Sequence, residues 1–564
     1  MKHIYLKCMW LVIGLLLPVI CFASTTITTP NELPWYSILP PIIAVLLAFI
    51  TRHLLLSLGV AIIAGAFLVS IHQQEASYIT GTLGNSANYL FANLTNSWNL
   101  KVLAFVIMIL AMISVIIVSG GLKGIVKHLI PHARTARSSR FITFLAGLIV
   151  FIDDYANTMI VGSAMRPITD HYRVSREKLA FIIDATSAPV AGLAVISTWI
   201  GFEVGLFGDV SQSLSLGKDG YSMFFDALAF RFYCILMLLY VLMVIFLDRD
   251  FGPMLTAEKR SIESGKLQAD DARTASSKSF TMVDTHEASS HVARTALIPF
   301  LVLFLVLIFG LWWDGNGWQA FQQNWLSVLS LQSWQQILAN TENSTVILLT
   351  SASLAFLTAI MSGLLIANTP AKAILAAVIS GVKSSLLPIM ILLLAWSLKS
   401  TCDDLQTGEY LVSVLSPYLS PLWFPVLLFF VAALTAFGTG TSWGTMSILI
   451  PIAIPLAYTL DMQQYGLITV ISLAAVLDGA IFGDHCSPIS DTTIMSSIAS
   501  DCDHLHHVKT QIPYSVLVAT AAMICGYLPA AMGWAPIVSY ILAACVLVLF
   551  LLKMGKRISI TSRA

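Results

Sequence analysis

The sequence predicts an all-α polytopic membrane protein in which two re-entrant hairpins and several broken helices form an inverted repeat. Three observations lead there. The 564 residues are 57% hydrophobic and only 11% charged, with a mean hydropathy of +0.83, whereas a soluble protein carries about 25% charged residues. Apolar runs long enough to span a bilayer recur along the chain. Clusters of carboxylates and hydroxyls interrupt these runs at membrane depth, most densely at Gly483-Asp484-His485-Cys486-Ser487-Pro488-Ile489-Ser490-Asp491-Thr492-Thr493.

From the N-terminus, Lys2 and Lys7, the apolar stretch Met9 to Phe22 and then Ala23-Ser24 read as a signal peptide over residues 1–23. Spans are expected at 35–50, 54–72, 101–120, 179–200, 224–248, 294–313, 344–366, 384–400, 465–485, 513–531 and 535–552. Lys/Arg bias sets their orientation. The loop from Lys123 to Arg140 and the loop from Arg166 to Lys178 are both basic, so both belong on the cytoplasmic side. The segment 141–165 between them then enters and leaves from one side, as a hairpin. Its centre carries Asp153, Asp154 and Asn157, which suits a hairpin tip better than a lipid-facing wall; a broken single span is the alternative. Residues 249–293 mix charge with Ser and Thr and read as a flexible cytoplasmic linker. The stretch from Gln322 to Glu342 has no Lys or Arg and is expected outside. Lys372, Lys383 and the basic tail at 553–557 are expected inside.

The linker divides the chain into a first repeat, 35–248, and a second, 294–531, with an extra C-terminal span at 535–552. The second repeat has its own polar-centred segment, 421–457, around Gly438-Thr439-Gly440-Thr441-Ser442-Trp443-Gly444. In each repeat the next span holds an acid, Asp184 or Asp478, followed by a Pro-containing break. Paired broken elements in inverted halves, with a site at the midplane, are the architecture of secondary transporters.

An ionisable side chain at bilayer depth costs about 2.5–3.5 kcal/mol on insertion scales, so it persists where it faces water, an ion or a partner. Carboxylates, hydroxyls and freed carbonyls together suit a hard cation. The candidate ion- and substrate-binding residues are Asp153, Asp154, Asn157, Thr158, Asp184, Thr439, Thr441, Ser442, Asp478, Asp484, His485, Ser487, Ser490, Asp491 and Thr492. Asp154, Asp478, Asp484 and Asp491 are the Na+ candidates among them. Adjacent carboxylates such as Asp153 and Asp154 do not both stay ionised cheaply at low dielectric, which suits proton exchange. Asn157, Thr158, Thr439, Thr441 and Ser442 have helix capping as their plainer role. His485 is a candidate proton carrier or simply a loop anchor. His504, His506 and His507 superficially resemble a metal cluster, but they fall in an expected cytoplasmic loop. Lys399, near a boundary, reads as a snorkelling side chain.

The runs Gly483 to Thr493 and Phe151-Ile152-Asp153-Asp154-Tyr155-Ala156-Asn157 resemble the signatures of NhaC-type sodium/proton antiporters within the ion-transporter superfamily. The resemblance covers roughly residues 35 to 550. It implies exchange of Na+ for H+ across the bacterial inner membrane, with no cofactor beyond the transported ions, membrane lipid as surroundings and a homodimer as the expected assembly. It leaves open a Na+- or H+-coupled carrier of a small organic acid or amino acid on the same scaffold. An enzyme is disfavoured, since no H-E-x-x-H occurs. Thirty basic residues against thirty acidic ones give no sign of a nucleic-acid partner.

Overall fold

A backbone in lipid has to satisfy its own N–H and C=O groups, so the apolar runs become helices. The computed structural model describes residues 34–557 apart from 52, 75–76, 273–289, 331–332, 335, 338–339, 342 and 416–417. The expected signal peptide lies outside the described residues. Among those residues, nine helices are long and apolar enough to cross a membrane, and the chain is an all-α polytopic transporter fold. The outer helices show lipid-facing stripes; Leu297, Leu301, Leu305 and Phe309 are all exposed on one helix.

The first half runs α1 (Leu39–Thr51), α2 (Leu54–His72), α3 (Tyr78–Thr95), α4 (Ser97–Val118) and α5 (Gly121–Leu129). It continues with α6 (Ala136–Ile149), α7 (Asp154–His171), α8 (Arg176–Ala185), α9 (Thr198–Leu214), α10 (Gly220–Leu228), α11 (Phe232–Leu247) and α12 (Gly252–Ser264). The second half comprises α13 (Arg294–Asp314), α14 (Ser344–Leu365), α15 (Ala371–Asp404), α16 (Thr407–Leu415), α17 (Phe424–Thr439) and α18 (Ser442–Leu460). It ends with α19 (Leu467–Cys486), α20 (Asp491–Ser500), α21 (His504–Ala521) and α22 (Pro536–Met554). Helix α21 continues through a π-helical turn, Ala522–Tyr527, to Ala531.

Both polar-centred segments are helix–break–helix pairs whose arms pack on each other, α6 with α7 and α17 with α18. The arms of the first are 14 and 18 residues long, about 21 and 27 Å at 1.5 Å per residue. They exceed the expected 141–165 because polar residues at both outer ends continue the helices, beginning with a Thr135–Ser138 capping box. Helices α4, α13, α14 and α15 pack together as a wall, and α4 and α15 also contact α9.

Several spans differ from expectation. The segment 179–200 is broken at Thr186-Ser187, and a second helix, α9, starts at Thr198, where the Ser197 side chain caps Trp199 and Ile200. The span 224–248 is a pair, α10 and α11, bent by 45°. The span 384–400 falls largely in the C-terminal half of the 34-residue α15. Helix α3 escaped the hydropathy reading because its apolar residues are interleaved with Asn, Thr and Ser.

The linker is also more ordered than its composition suggests. Its first part forms α12, and several of its charges are paired. Glu258 accepts from the Ser175 amide at 2.8 Å and hydroxyl at 2.6 Å. Arg260 grips Glu177 at 2.8 and 2.9 Å. Lys178, fully buried, pairs with Asp250. Arg249-Asp250 also forms a two-residue antiparallel ladder with Lys556-Arg557, so the start of the linker and the C-terminal tail share one end of the molecule. Removing one member of a buried ion pair strands the other at about 3–5 kcal/mol. Lys178→Met is therefore expected to lower the thermal midpoint of the detergent-solubilised protein by several degrees, and an unchanged midpoint contradicts this clamp.

Candidate functional site

The two hairpin tips meet across a cavity of about 590 Å³. The first tip contributes Asp153, Asp154 and Tyr155, and the second contributes Thr441, Ser442 and Trp443. The break between α19 and α20 supplies Asp484, Asp491 and Thr492. Thr198 and Trp199 enter from the start of α9, and Lys383 enters from α15.

Local chemistry builds each tip. Asp153 caps α7 by accepting from the Ala156 amide at 2.8 Å, which leaves Asp154 in the first helical turn. Thr441 caps α18 through the Gly444 amide at 3.3 Å. Gly440 has φ +70°, and a Cβ there would stand 2.8 Å from the Ile489 carbonyl, so the second tip packs directly on the α19–α20 break. At Gly483 an added Cβ would lie 2.1 Å from the Ala433 carbonyl; only glycine lets α17 approach α19 this closely. Pro488 sits inside the break, where it cannot donate to a helical ladder, and Ser490 restarts the helix by capping Thr493 at 3.4 Å.

The carboxylates are unequally satisfied. Asp484, only 3% exposed, accepts from the Ser442 hydroxyl at 2.7 Å through one oxygen, while its Oδ1 has no partner. Asp491 accepts from the Thr492 amide at 2.8 Å and from the phenol of Tyr155, a bond that ties one tip to the other break. Asp154 lies within range of the charges of Asp153 and Asp491. Against these four acids the cavity offers one cation, Lys383, which makes no ion pair with any described residue. Trp443 stacks on Phe202 with ring centres 4.5 Å apart and meets Trp199 edge-on at 5.9 Å, forming an aromatic wall.

Other expected site residues brace the tips from behind. Asn157 donates to the carbonyls of Gly147 at 2.7 Å and Thr186 at 2.8 Å, locking the first tip to the break after α8. Thr158 bonds the Asp154 carbonyl and Ser187, each at 2.9 Å. Ser487 donates to the Phe437 carbonyl at 2.8 Å, and Thr439 bonds back into its own helix at 2.8 Å. Ser490 lies 3.0 Å from the Thr492 hydroxyl.

Two expected acids are not in the cavity. Asp478 is fully buried against Arg231 at 2.7 Å, and it also accepts from the Tyr233 amide and the Tyr527 hydroxyl, each at 2.7 Å. With its lone pairs so committed it is an ion-pair partner, not a cation ligand. Asp184 lies behind α20, where it accepts from Gln511 at 2.7 Å, Thr493 at 3.1 Å and Ser496 at 3.2 Å. His485 stands beside it at 3.8 Å and reaches Tyr233 at 2.8 Å. Lys399 does not snorkel: it is buried and pairs with Asp403 at 2.6 Å and Asp209 at 3.8 Å.

Sequence reading missed Tyr155, Thr198, Trp199, Trp443 and Lys383 as lining residues, and Glu203 and Arg231 as a buried pair 3.7 Å apart. Arg231 had a signal, being a guanidinium beside an apolar run that must find an acid. Lys383 read as a loop residue because α15 was expected to start at 384.

Polar hairpin tips that meet broken helices inside an apolar bundle define a membrane transporter. The chain belongs to the Na+/H+ antiporter family, whose model matches residues 190–534. It is 29% identical over 534 residues to an uncharacterized protein of Haemophilus influenzae, covering 93% of this chain and 96% of that one. It is 27% identical over 156 residues to the malate-2H(+)/Na(+)-lactate antiporter of Bacillus subtilis, 27% of this chain and 32% of that protein. Its fold is similar to MtrF of Neisseria gonorrhoeae, of a class of antimetabolite efflux pumps, with a TM-score of 0.52 at 12% identity over 82% of this chain and 85% of that one.

The two classes of acid differ in what their neutralisation does. Asp478→Asn leaves Arg231 without its closest partner and is expected to cost about 3–5 kcal/mol of stability. Asp484→Asn removes an unpaired buried charge and is expected to leave the thermal midpoint level or higher. The reverse ranking in a thermal-shift measurement contradicts the assignment.

Proposed function

We propose that this antiporter exchanges Na+ for H+ across the bacterial inner membrane by competition at the cavity carboxylates. The observation that carries this reading is the charge imbalance: Asp153, Asp154, Asp484 and Asp491 face a single lysine, and an oxygen of buried Asp484 has no partner. Such a site is stable at low dielectric when protons or a hard cation neutralise it. Na+ would draw on carboxylate, hydroxyl and freed carbonyl oxygens, with Asp154, Asp484, Asp491, Ser442 and Thr492 the nearest suppliers. A carboxylic acid holds Na+ poorly, so proton loss favours Na+ entry and proton gain favours its release. The same occupancy rule, applied at each face in turn, produces antiport.

A second reading has its own support. A cavity of about 590 Å³ exceeds what a bare cation needs, and Lys383 beside Trp199 and Trp443 offers a cation and an aromatic wall. An organic acid or amino acid fits there as the exchanged solute, with Na+ or H+ held by the acids as coupling ion.

Purified protein in proteoliposomes loaded with a pH-sensitive dye separates the two. A Na+ pulse outside is expected to alkalinise the lumen with no organic solute added, and Asp154→Asn or Asp484→Asn to abolish the signal. A response that appears only when an organic acid is supplied overturns Na+/H+ exchange in favour of the second reading.

A further inference from the structure

We propose that His504, Ser497 and His507 form a reversible proton relay connecting Asp184 with the aqueous phase at the end of the molecule that carries α12. Its use in transport rests on protons being a coupled ion, as proposed above; its existence rests on hydrogen-bond accounting alone.

His504 is the first residue of α21 and is partly exposed, whereas His507, one turn on, is fully buried. His504 Nε2 lies 2.7 Å from the Pro488 carbonyl. A carbonyl only accepts, so this nitrogen carries a hydrogen. His507 Nε2 lies 2.8 Å from Gln511 Oε1. The Gln511 amide nitrogen donates to Asp184 and to the His485 carbonyl, which fixes Oε1 as the acceptor and places a hydrogen on His507 Nε2 too. The remaining nitrogens, His504 Nδ1 and His507 Nδ1, both point at the Ser497 hydroxyl, at 3.1 and 2.9 Å. The Thr493 carbonyl competes for the same hydroxyl at 2.8 Å.

One hydroxyl hydrogen cannot serve three acceptors. A single added proton turns one of the two nitrogens into a donor and leaves the hydroxyl hydrogen to the other nitrogen or to the Thr493 carbonyl. If His504 carries it, His504 Nδ1–H donates to Ser497 Oγ and the hydroxyl donates to His507 Nδ1. Transfer breaks the N–H bond at His504 and forms one at His507, while the hydroxyl gives up one hydrogen and gains another. The resulting His507 imidazolium then faces Asp184 Oδ2 at 3.8 Å. Passing Nε2–H to that oxygen requires the Gln511 side-chain amide, which now accepts from Nε2 and donates to Asp184, to turn over, so that its NH2 donates to the vacated Nε2 and its oxygen accepts from the new acid. The result is a neutral imidazole and a carboxylic acid. The reverse sequence returns the proton along the same path, so Asp184 equilibrates with one compartment.

Other titratable groups flank the path. His485 lies 3.8 Å from the same Asp184 oxygen, its Nε2 without a hydrogen-bond partner, and its other nitrogen engages Tyr233. At the mouth stand Asp503, which caps α21 through the His506 amide, Asp501, which pairs with Arg176 at 3.0 Å, and His506, 3.6 Å from Asp271. The consequence reaches the cavity, because Asp184 holds Thr493 and Ser496 of α20, the helix whose first residues are Asp491 and Thr492. Protonating Asp184 weakens charge-assisted bonds that seat this helix.

Two readouts test the relay. In protein carrying 15N-labelled histidine, reconstituted in lipid and studied by solid-state NMR, with Ser497→Ala and His504→Gln used for assignment, the pair is expected to take up one shared proton. Spectra in which both rings stay neutral at every pH, or titrate independently with Ser497 intact, overturn it. In proteoliposomes, His504→Gly and Ser497→Ala are expected to slow the pH-dependent flux roughly tenfold and to shift its pH profile on the α12 side, with Na+ affinity unchanged. Added imidazole is expected to restore the His504→Gly variant. Unaltered flux and profile in both variants overturn the relay, whereas absence of Na+-driven proton flux in the parent protein counts against the exchange reading and leaves the NMR result to decide the relay.

Discussion

Four carboxylates held around a cavity with one lysine, inside an apolar bundle, are the constraint to which the rest of the structure answers. A charge without a partner in such surroundings is costly, and the fold does not supply the missing cations. Elsewhere it supplies several. Arg231 serves Asp478, Lys178 serves Asp250, Arg260 serves Glu177 and Lys399 serves Asp403. On the function proposed above, the contrast separates acids that hold the protein together from acids whose neutralising partner arrives from water.

Broken helices bring those acids together without exposing orphaned backbone to lipid. Side chains seal the freed backbone groups: Ser187 takes the Asp154 carbonyl at the first tip, Asn157 takes the Thr186 carbonyl of the break after α8, Ser487 takes the Phe437 carbonyl of α17, and Ser490 caps its own helix at Thr493. Tyr155, reaching Asp491, links a tip in the first half to a break in the second. A shift of the first tip is therefore felt at Asp491.

Much of this was legible in the sequence, and the failures have physical causes. The acids Asp153, Asp154, Asp484 and Asp491 declared themselves because carboxylates in apolar runs demand an explanation, and they do line one cavity. Asp478 and Asp184 raised the same demand, but pattern alone does not say whether an acid meets an ion or an arginine, and Arg231 lies 247 positions away from Asp478. The hydroxyls of Asn157's neighbourhood and Thr439 read as ligands yet serve backbone groups, because capping and coordination draw on the same residue types. The start of the linker read as solvated, since ion pairing across helices leaves no local trace. Helices such as α3 and α9 were missed because their burial depends on neighbours, not on their own hydropathy.

The central claim is that protons and Na+ compete for one set of cavity carboxylates. Adding Na+ to the purified protein in weakly buffered detergent solution, and following pH directly, tests it most simply. The claim predicts proton release that saturates with Na+ and is lost in Asp484→Asn. Saturable Na+ binding without proton release, or release undiminished in that variant, contradicts it.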